Sequence, residues 1–380
     1  MNNGRSSVVN PSDKLDLTGL RVGLLYWEKF NTVRSYQQLF EHMGFHVTSF
    51  SHNESLPDGL DVVFVRGPNG SLVPLEKQLH AYPAAKRPAL IYLLTEPLPH
   101  PKIPQWLLYW AGRARSKTER ISYRQDASGQ WEMTSRLSAN LLKAYRFSYY
   151  GDLLWMRARG ILSVLAISSE WNARFLRTKG FDPLVLPLCY PREQNVNFKQ
   201  ERDIPVLWIG KAGTKRRERI LKRVREDLSR RGVEMMVIDG VENPYVFGNK
   251  RDALLSRTKI VLNIIRQWWD DNSLRYLLSI PKGAMIVTEP TLPHTSFKSG
   301  LHLVEAPVSE IPERINYYLE HEDERLAMVE RAYQELTRLS PVDVMRTAFE
   351  KAVKVSLARQ FSPVAADKYN QPVNISEVEP

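Results

Sequence analysis

Residues 204–232, IPVLWIGKAGTKRRERILKRVREDLSRRG, contain the pattern that decides the fold. The apolar run at their start predicts a strand buried on both faces, and the glycine-containing turn after it leads into a highly charged helix. Apolar runs alternate with amphipathic stretches on both sides of this unit, from RVGLLYW at 21–27 to AMIVTE at 284–289. This alternation predicts parallel sheets covered by helices, which is the doubly wound α/β class.

A polar segment without apolar periodicity, QNVNFKQERD at 194–203, divides the alternation into two series. Two such series separated by a linker predict two Rossmann-like domains, whose ligands bind beyond the carboxyl ends of the strands. Residues 112–150 interrupt the first series, with little strand or helix pattern before SRLSANLLKAY at 135–145. The predicted organisation is a flexible tail at 1–20, domains at 21–193 and 204–340 joined by the linker at 194–203, a helix at 341–361 and a flexible tail at 362–380.

The composition is that of a globular protein with an excess of positive charge. Among 380 residues, 53 Lys and Arg exceed 42 Asp and Glu, a net charge of +11 that favours anionic partners such as nucleotides, phospholipids, nucleic acid or acidic glycans. A single cysteine, Cys189, excludes an internal disulfide. No apolar stretch predicts a transmembrane segment and the start lacks a secretory signal, so we expect a cytoplasmic protein, with peripheral attachment to a membrane left open.

The turn after the strand at 204–210 is the first candidate site. Its two glycines let the backbone approach a ligand, and the N-terminus of the following helix attracts phosphate. Its cations add charge-assisted hydrogen bonds to a diphosphate. The alternative is a tight turn before a solvated basic helix, because residues 211–231 carry ten Lys or Arg against three Asp or Glu. The candidates in this turn are Gly210, Lys211, Thr214, Arg216 and Arg217.

The second candidate site lies within KIVLNIIRQWWDDNSLRYLLSIPKGAMIVTEP at 259–290. Asn263 and Arg266 lie at the end of the predicted strand KIVLNII at 259–265. Asn272 and Ser273 have the short polar side chains of a helix N-cap, and the backbone N–H groups there suit an anion equally well. Arg275, one turn into the helix, would face the same place. The alternative is a capped helix with a purely structural role.

The run SLRYLLSIPKG at 273–283 resembles the sequence motif NLRxFEAxAxG of the CgeB-like branch of GT-B glycosyltransferases. The turn at Gly210 with its paired arginines, and IPERINYYLEHEDERLAMVERAYQ at 311–334, are also similar to the donor domain of that family. The resemblance covers roughly residues 160–340. It implies two domains facing across a cleft, the first binding an acceptor and the second a nucleotide-sugar donor, and a final helix that crosses back to the first domain. It also implies catalysis without a metal or another cofactor.

One departure from the family concerns a pair of acidic residues. Retaining relatives carry two glutamates, the second of which holds the ribose, and these positions fall on Asp270 and Leu278. The resemblance makes Asp270 a catalytic candidate, whereas a leucine cannot accept a ribose hydroxyl. Either neighbouring polar residues such as Asp271 and Asn272 hold the ribose, or the donor is unusual, or activity has been lost.

Glu96 is the candidate on the acceptor side. It follows the predicted strand ALIYLLT at 89–95, where a carboxylate can serve as a general base toward an acceptor hydroxyl. The alternative is a capping or surface glutamate.

The predicted function is therefore a metal-independent glycosyltransferase that uses a nucleotide-sugar. Its acceptor is unknown, with a glycan, a lipid-linked glycan and nucleic acid all open. Two alternatives remain. Leu278 is compatible with a catalytically silent protein that binds nucleotide or glycan. The basic helix at 214–231 and the arginine-rich stretch at 113–124 are compatible with a protein that binds or glycosylates nucleic acid.

Overall fold

A computed structural model gives the fold of the chain. The residues it describes are 15–26, 32–51, 54–67, 72–95, 98–100, 102–118, 121–125, 131–135, 145–190, 196–211, 213–267, 273–291 and 296–361. The elements of the first half are β1 (Arg21–Tyr26), α1 (Thr32–His42), β2 (His46–Ser51), β3 (Val62–Gly67), α2 (Val73–Ala81), β4 (Ala89–Leu94), α3 (Gln105–Thr118), β5 (Ile121–Gln125), β6 (Trp131–Ser135), α4 (Tyr145–Ala158), β7 (Leu162–Ile167), α5 (Glu170–Thr178) and β8 (Pro183–Val185), with a 3-10 turn at Ala84–Lys86.

Six of these strands form one parallel sheet in the order β2-β1-β3-β4-β7-β8. Successive residues of β3 enter different cores, with Val63 and Val65 on one face and Val62 and Phe64 on the other. Both faces are buried because helices cover each of them, which explains why these strands are apolar at nearly every position. The predicted parallel α/β arrangement is confirmed here.

The stretch 112–150, which showed little pattern, contains more regular structure than the sequence predicted. Helix α3 runs through it to Thr118, and β5 and β6 pair as an antiparallel hairpin. Gly112 of α3 lies against the backbone of Gly151 in α4, so closely that a side chain at either position would collide with the other helix. Helix α3 was missed because its exposed side is as apolar as its buried side, which removes the amphipathic period.

The second half repeats the architecture. Its elements are β9 (Ile204–Ile209), α6 (Lys215–Arg230), β10 (Met235–Ile238), α7 (Gly248–Ser256), β11 (Thr258–Asn263), α8 (Ser273–Ser279), β12 (Met285–Thr288), β13 (Val304–Glu305), α9 (Ile311–Glu320), α10 (Glu322–Leu336) and α11 (Pro341–Phe361), with a 3-10 turn at Ile280–Lys282. The five strands are parallel in the order β10-β9-β11-β12-β13. The ends of β9, β11 and β12 therefore lie side by side.

Helix α11 packs against the first sheet rather than the second. Phe349 is fully buried, and its ring centroid lies 5.0 Å from that of Phe40 and 4.8 Å from that of Phe45. Leu17 belongs to the same buried cluster, so the packed chain begins within the tail predicted at 1–20. Among the described helices, none is long and apolar enough to cross a bilayer.

The end of the predicted linker is also part of a domain. Arg202 is buried, and its guanidinium donates to the backbone oxygens of Thr258 at 2.8 Å and Lys282 at 2.9 Å. These bonds hold the chain against the second sheet just before β9 begins. The segment that connects the two sheets therefore ends before residue 202 rather than at residue 203.

Candidate functional site

A polar network joins the carboxyl ends of three neighbouring strands in the second sheet. Arg275 of α8 donates to the Asn263 side-chain oxygen at the end of β11, at 2.5 Å, and to the backbone oxygen of Ile209 at the end of β9, at 3.4 Å. The Asn263 amide donates to the Thr288 hydroxyl at the end of β12, at 3.0 Å. Asn263 and Thr288 are fully buried, so this network gives Arg275 one defined position.

Trp208 of β9 also contacts Arg275. This fully buried residue of β9 donates its indole N–H to the Gly210 oxygen at 2.9 Å. The guanidinium of Arg275 lies 4.3 Å from the Trp208 ring centroid, and that of Arg217 lies at 5.3 Å. Arg217 also donates to the Lys211 backbone oxygen at 3.1 Å. A single buried ring thus contacts two cations and fixes the turn that follows its own strand.

Gly210 occupies a position that only glycine accommodates well. Its φ is +128°, and a Cβ there would lie 3.2 Å from an Arg275 guanidinium nitrogen. The Gly210 N–H donates to the Ile238 oxygen at the end of β10, at 2.9 Å. The absence of a side chain therefore lets the Arg275 guanidinium approach the turn backbone.

Arg216 and Glu289 form an ion pair beside this network. Glu289 follows β12 and is only 3% exposed. It accepts from Arg216 at both carboxylate oxygens, one of them at 3.0 Å, and from the Ile265 N–H at 2.7 Å. The hydrogen bond to Glu289 raises the pKa of Arg216 above its ordinary value. The Arg216 side chain remains 44% exposed, so this anchored cation still reaches solvent.

The turn between β9 and α6 ends in a regular helix cap. The Thr214 hydroxyl accepts from the Arg217 N–H at 3.2 Å, which makes Thr214 the N-cap of α6. Lys211 and Gly213 are exposed beside it. The glycine loop leading into a basic helix, which the sequence predicted for this turn, is present, and the Thr214 cap is a finding of the structure.

The predicted site residues divide into two groups. The structure brings together Gly210, Arg216, Asn263 and Arg275, with Lys211 and Thr214 in the adjoining turn and Arg266 directly after Ile265. The second group cannot be placed: Glu96, Asp270 and Asn272 lie outside the described residues, as does the side chain of Ser273, whose backbone begins α8.

Trp208, Thr288 and Glu289 were not among the predicted site residues. Trp208 was read as part of an apolar strand, and nothing local distinguishes it from a core residue. Glu289 could have been predicted as a site residue, because it directly follows a buried strand, where ligand-binding residues of parallel sheets lie. Leu278, the residue at the expected ribose position, packs against the core cluster that contains Ile204 and Leu207.

A cavity of about 310 Å³ opens next to the network. Glu305 accepts there from the Thr291 N–H at 3.1 Å and from its hydroxyl at 2.8 Å. Within the described parts of the chain, no group of three or more His, Cys, Asp or Glu is arranged to hold a metal. The residues lining the cavity are Tyr276, Thr291, Phe297, Lys298, Ser299, Leu303 and Glu305.

Comparison with known proteins gives a family for part of the chain and a fold for the whole. Residues 216–347 match the model of a family described as glycosyl transferase-like. No curated protein matches the sequence. Among solved structures, HepE of Anabaena in complex with UDP and glucose is 11% identical, with 88% of this chain and 99% of that chain covered and a TM-score of 0.50.

Two further structures are similar at lower scores. S. aureus TarM, in complex with Fondaparinux, alpha-GlcNAc-glycerol and UDP, is 8% identical with a TM-score of 0.45; 71% of this chain is covered, and the chain spans 51% of the length of that TarM chain. An alpha1,3-fucosyltransferase is 12% identical with a TM-score of 0.42, covering 90% of this chain and 94% of that one. The likeness to HepE shows a common fold.

Proposed function

The chain has the GT-B fold and carries a glycosyl transferase-like domain at residues 216–347, and from this premise we propose that it transfers a sugar from a nucleotide-sugar donor. The observation that carries the proposal is that Arg216 and Arg275 are both held at the carboxyl end of β11, Arg216 by the Ile265 oxygen and Arg275 by the Asn263 side chain, beside the glycine turn after β9. Two guanidinium groups beside a helix N-terminus form a binding site for a diphosphate. The likeness to the CgeB-like branch remains a prediction.

The two arginines contribute in different ways. Arg216 is bound to the buried carboxylate of Glu289, which holds its position and offsets its charge. The hydrogen bonds of Arg275 to the Asn263 side chain and the Ile209 backbone orient its guanidinium group toward the end of β9. We assign an electrostatic role to Arg275 and a positioning role to the Arg216–Glu289 pair, with Lys211 closing over the diphosphate from the exposed turn.

Negative charge develops on the diphosphate as the glycosidic bond breaks. Cations held in place before the reaction stabilise this charge without reorganisation, and removing one such group typically costs about 3–4 kcal/mol in the transition state. This is a route to catalysis that needs no metal, and we propose it for this chain. Glu96, which follows β4, is the proposed base toward the acceptor, and Asp270 is proposed as the acidic residue near the sugar.

The cavity beside α8 is the proposed place for the donor sugar. Tyr276, which lines the cavity, directly follows Arg275 in α8, and we propose that the donor sugar extends from the diphosphate into this cavity. Glu305 offers a carboxylate to sugar hydroxyls, and the buried rings of Tyr276 and Phe297, whose centroids are 5.5 Å apart, form the packed wall behind it. Closure of the two domains would exclude water and so limit hydrolysis of the donor.

A catalytically silent binding protein of the same fold is the second candidate. Leu278 supports it, because this side chain packs in the core and offers no acceptor for a ribose hydroxyl. Turnover separates the two candidates: the transferase releases nucleoside diphosphate from its donor, whereas the silent protein binds nucleotide without consuming it. For nucleic acid as ligand or acceptor, affinity should fall steeply with salt, and affinity that ignores salt removes that alternative.

A thermal-shift screen tests the proposal. UDP is the first probe, since HepE was crystallised with it, followed by GDP and a panel of nucleotide-sugars. A ligand that binds only the folded chain raises its Tm, measured for each variant against its own ligand-free Tm. Arg275→Ala and Arg216→Ala should abolish the shift, whereas Arg223→Ala, on the exposed side of the same helix α6, should keep it. A shift that survives both site substitutions would refute this assignment of the diphosphate site.

A further inference from the structure

Helix α3 turns an apolar face toward solvent. Trp106, Leu107 and Trp110 are 55%, 48% and 46% exposed, and the exposed Ala111 and Ala114 continue the same face. The opposite side of the helix is packed, with Leu108 buried and Gly112 against α4. Nine large hydrophobic side chains are exposed among the described residues. Three of these nine lie within positions 106–110 of this one helix. Scattered exposed hydrophobics are ordinary, but a cluster of this kind marks a binding surface.

The charged residues of this segment are positive between the flanking Glu96 and Glu119. Residues 97–118 contain Lys102, Arg113, Arg115 and Lys117 and no aspartate or glutamate. The Arg113 guanidinium lies 4.6 Å from the Trp110 ring centroid, at the border of the apolar face. Tryptophan with flanking arginine and lysine is the composition of segments that lie at a membrane interface, where the rings enter the headgroup region and the cations meet anionic lipid.

We propose that this face of α3 docks on the surface of an anionic lipid bilayer, with the helix lying in the plane of the interface. Helix α3 starts at residue 105, shortly after the carboxyl end of β4, so the docked face lies at the edge of the first sheet from which Glu96 follows. Docking would therefore orient the acceptor side of the first domain toward the membrane.

Two other occupants fit the observations less well. A nucleic acid strand needs cations interleaved with the aromatic rings to follow its phosphates, whereas the centre of this face is Trp, Leu and Ala. A second copy of the chain would place two positively charged segments against each other, which costs free energy unless both are neutralised. A bilayer containing anionic lipid accepts the apolar centre and the positive border together.

Flotation of the full chain with lipid vesicles tests the docking surface. The vesicles are phosphatidylcholine alone and phosphatidylcholine mixed with phosphatidylglycerol. We expect the chain to float with the mixed vesicles, to release as salt rises, and to bind neutral vesicles weakly. The double variant Trp106→Ser/Trp110→Ser should lower partitioning at least about tenfold. The matched control is Val241→Ser/Phe247→Ser, which removes two exposed hydrophobic residues from the second domain and should float like the wild type.

Three results would overturn the proposal. The first is a wild type that stays unbound with both vesicle types. The second is a Trp106→Ser/Trp110→Ser variant that floats as well as the wild type. The third is a dimer, seen by light scattering, that this variant converts to a monomer, because a second copy would then cover the face. An unchanged Tm of the variant confirms that lost flotation reflects lost docking rather than unfolding. The assay uses neither donor nor acceptor, so its outcome is independent of the proposed transferase activity.

Discussion

Substitution of Trp208 tests whether the donor site is positioned from within the sheet. Trp208→Phe keeps an aromatic face for Arg275 but removes the indole N–H that holds the Gly210 oxygen at 2.9 Å. Trp208→Leu removes the ring as well, and with it the contacts to Arg275 at 4.3 Å and Arg217 at 5.3 Å. The two variants therefore separate the hydrogen bond from the stacking.

The expected magnitudes follow from these contacts. The lost hydrogen bond costs about 1 kcal/mol net, and the smaller ring leaves a void that costs about 1–2 kcal/mol more. The free energy of unfolding of Trp208→Phe should thus fall by about 2–3 kcal/mol, which lowers Tm by roughly 5–10 °C. Each cation–π contact is worth about 1 kcal/mol in a desolvated setting. We expect Kd for UDP to rise about tenfold in Trp208→Phe and about a hundredfold in Trp208→Leu.

Urea denaturation at equilibrium and calorimetric titration with UDP measure the two effects separately. Val206→Ala is the matched control, because Val206 is fully buried in the same strand and cluster but lies two residues further from the glycine turn than Trp208. It should lose stability comparably and bind UDP with an unchanged Kd. The reasoning is refuted if folded Trp208→Leu binds UDP as the wild type does, or if Val206→Ala weakens binding equally.

Three further predictions concern the fold. Phe349→Ala should reduce the free energy of unfolding by about 3–5 kcal/mol in denaturant titrations, and Leu357→Ala, exposed on the same helix, by less than about 1 kcal/mol; equal effects would show that α11 is not part of the first core. Gly112→Ala should cost about 1–3 kcal/mol because its methyl group meets the Gly151 backbone, and a wild-type Tm would contradict this packing. Burial raises the pKa of the partly buried Cys189 thiol to about 12, so the thiolate is scarce at pH 8 and alkylation should be at least about tenfold slower in the native chain than in urea; native labelling as fast as in urea would show that the thiol is not shielded.

The strands of both sheets were predictable because their signal is local. Strands β1, β4, β9 and β11 are apolar runs covered on both faces, and each starts and ends within one or two residues of its predicted bounds. Helix α3 was missed for a physical reason: a helix that is apolar on both sides has no amphipathic period. The apolar side chains on the exposed side of α3, which remove that period, also form the proposed docking surface.

The candidate site was predictable where its residues follow strand ends or glycine turns. Gly210, Arg216, Asn263 and Arg275 all obey such local rules, and the structure brings them together. Glu289 obeys the same rule and was overlooked. Trp208 obeys no local rule, since a tryptophan in a buried strand usually serves packing alone.

The amino-acid sequence by itself determined the alternation of strands and helices, the excess of positive charge and the glycine turn that precedes α6. Only the tertiary structure decided what each cation does. The partners that orient Arg216 and Arg275 lie up to 73 residues away in sequence, on strands whose order in the sheet differs from their order in the chain. The direction of a guanidinium group depends on contacts that exist only once those strands have paired, and no local pattern contains that information.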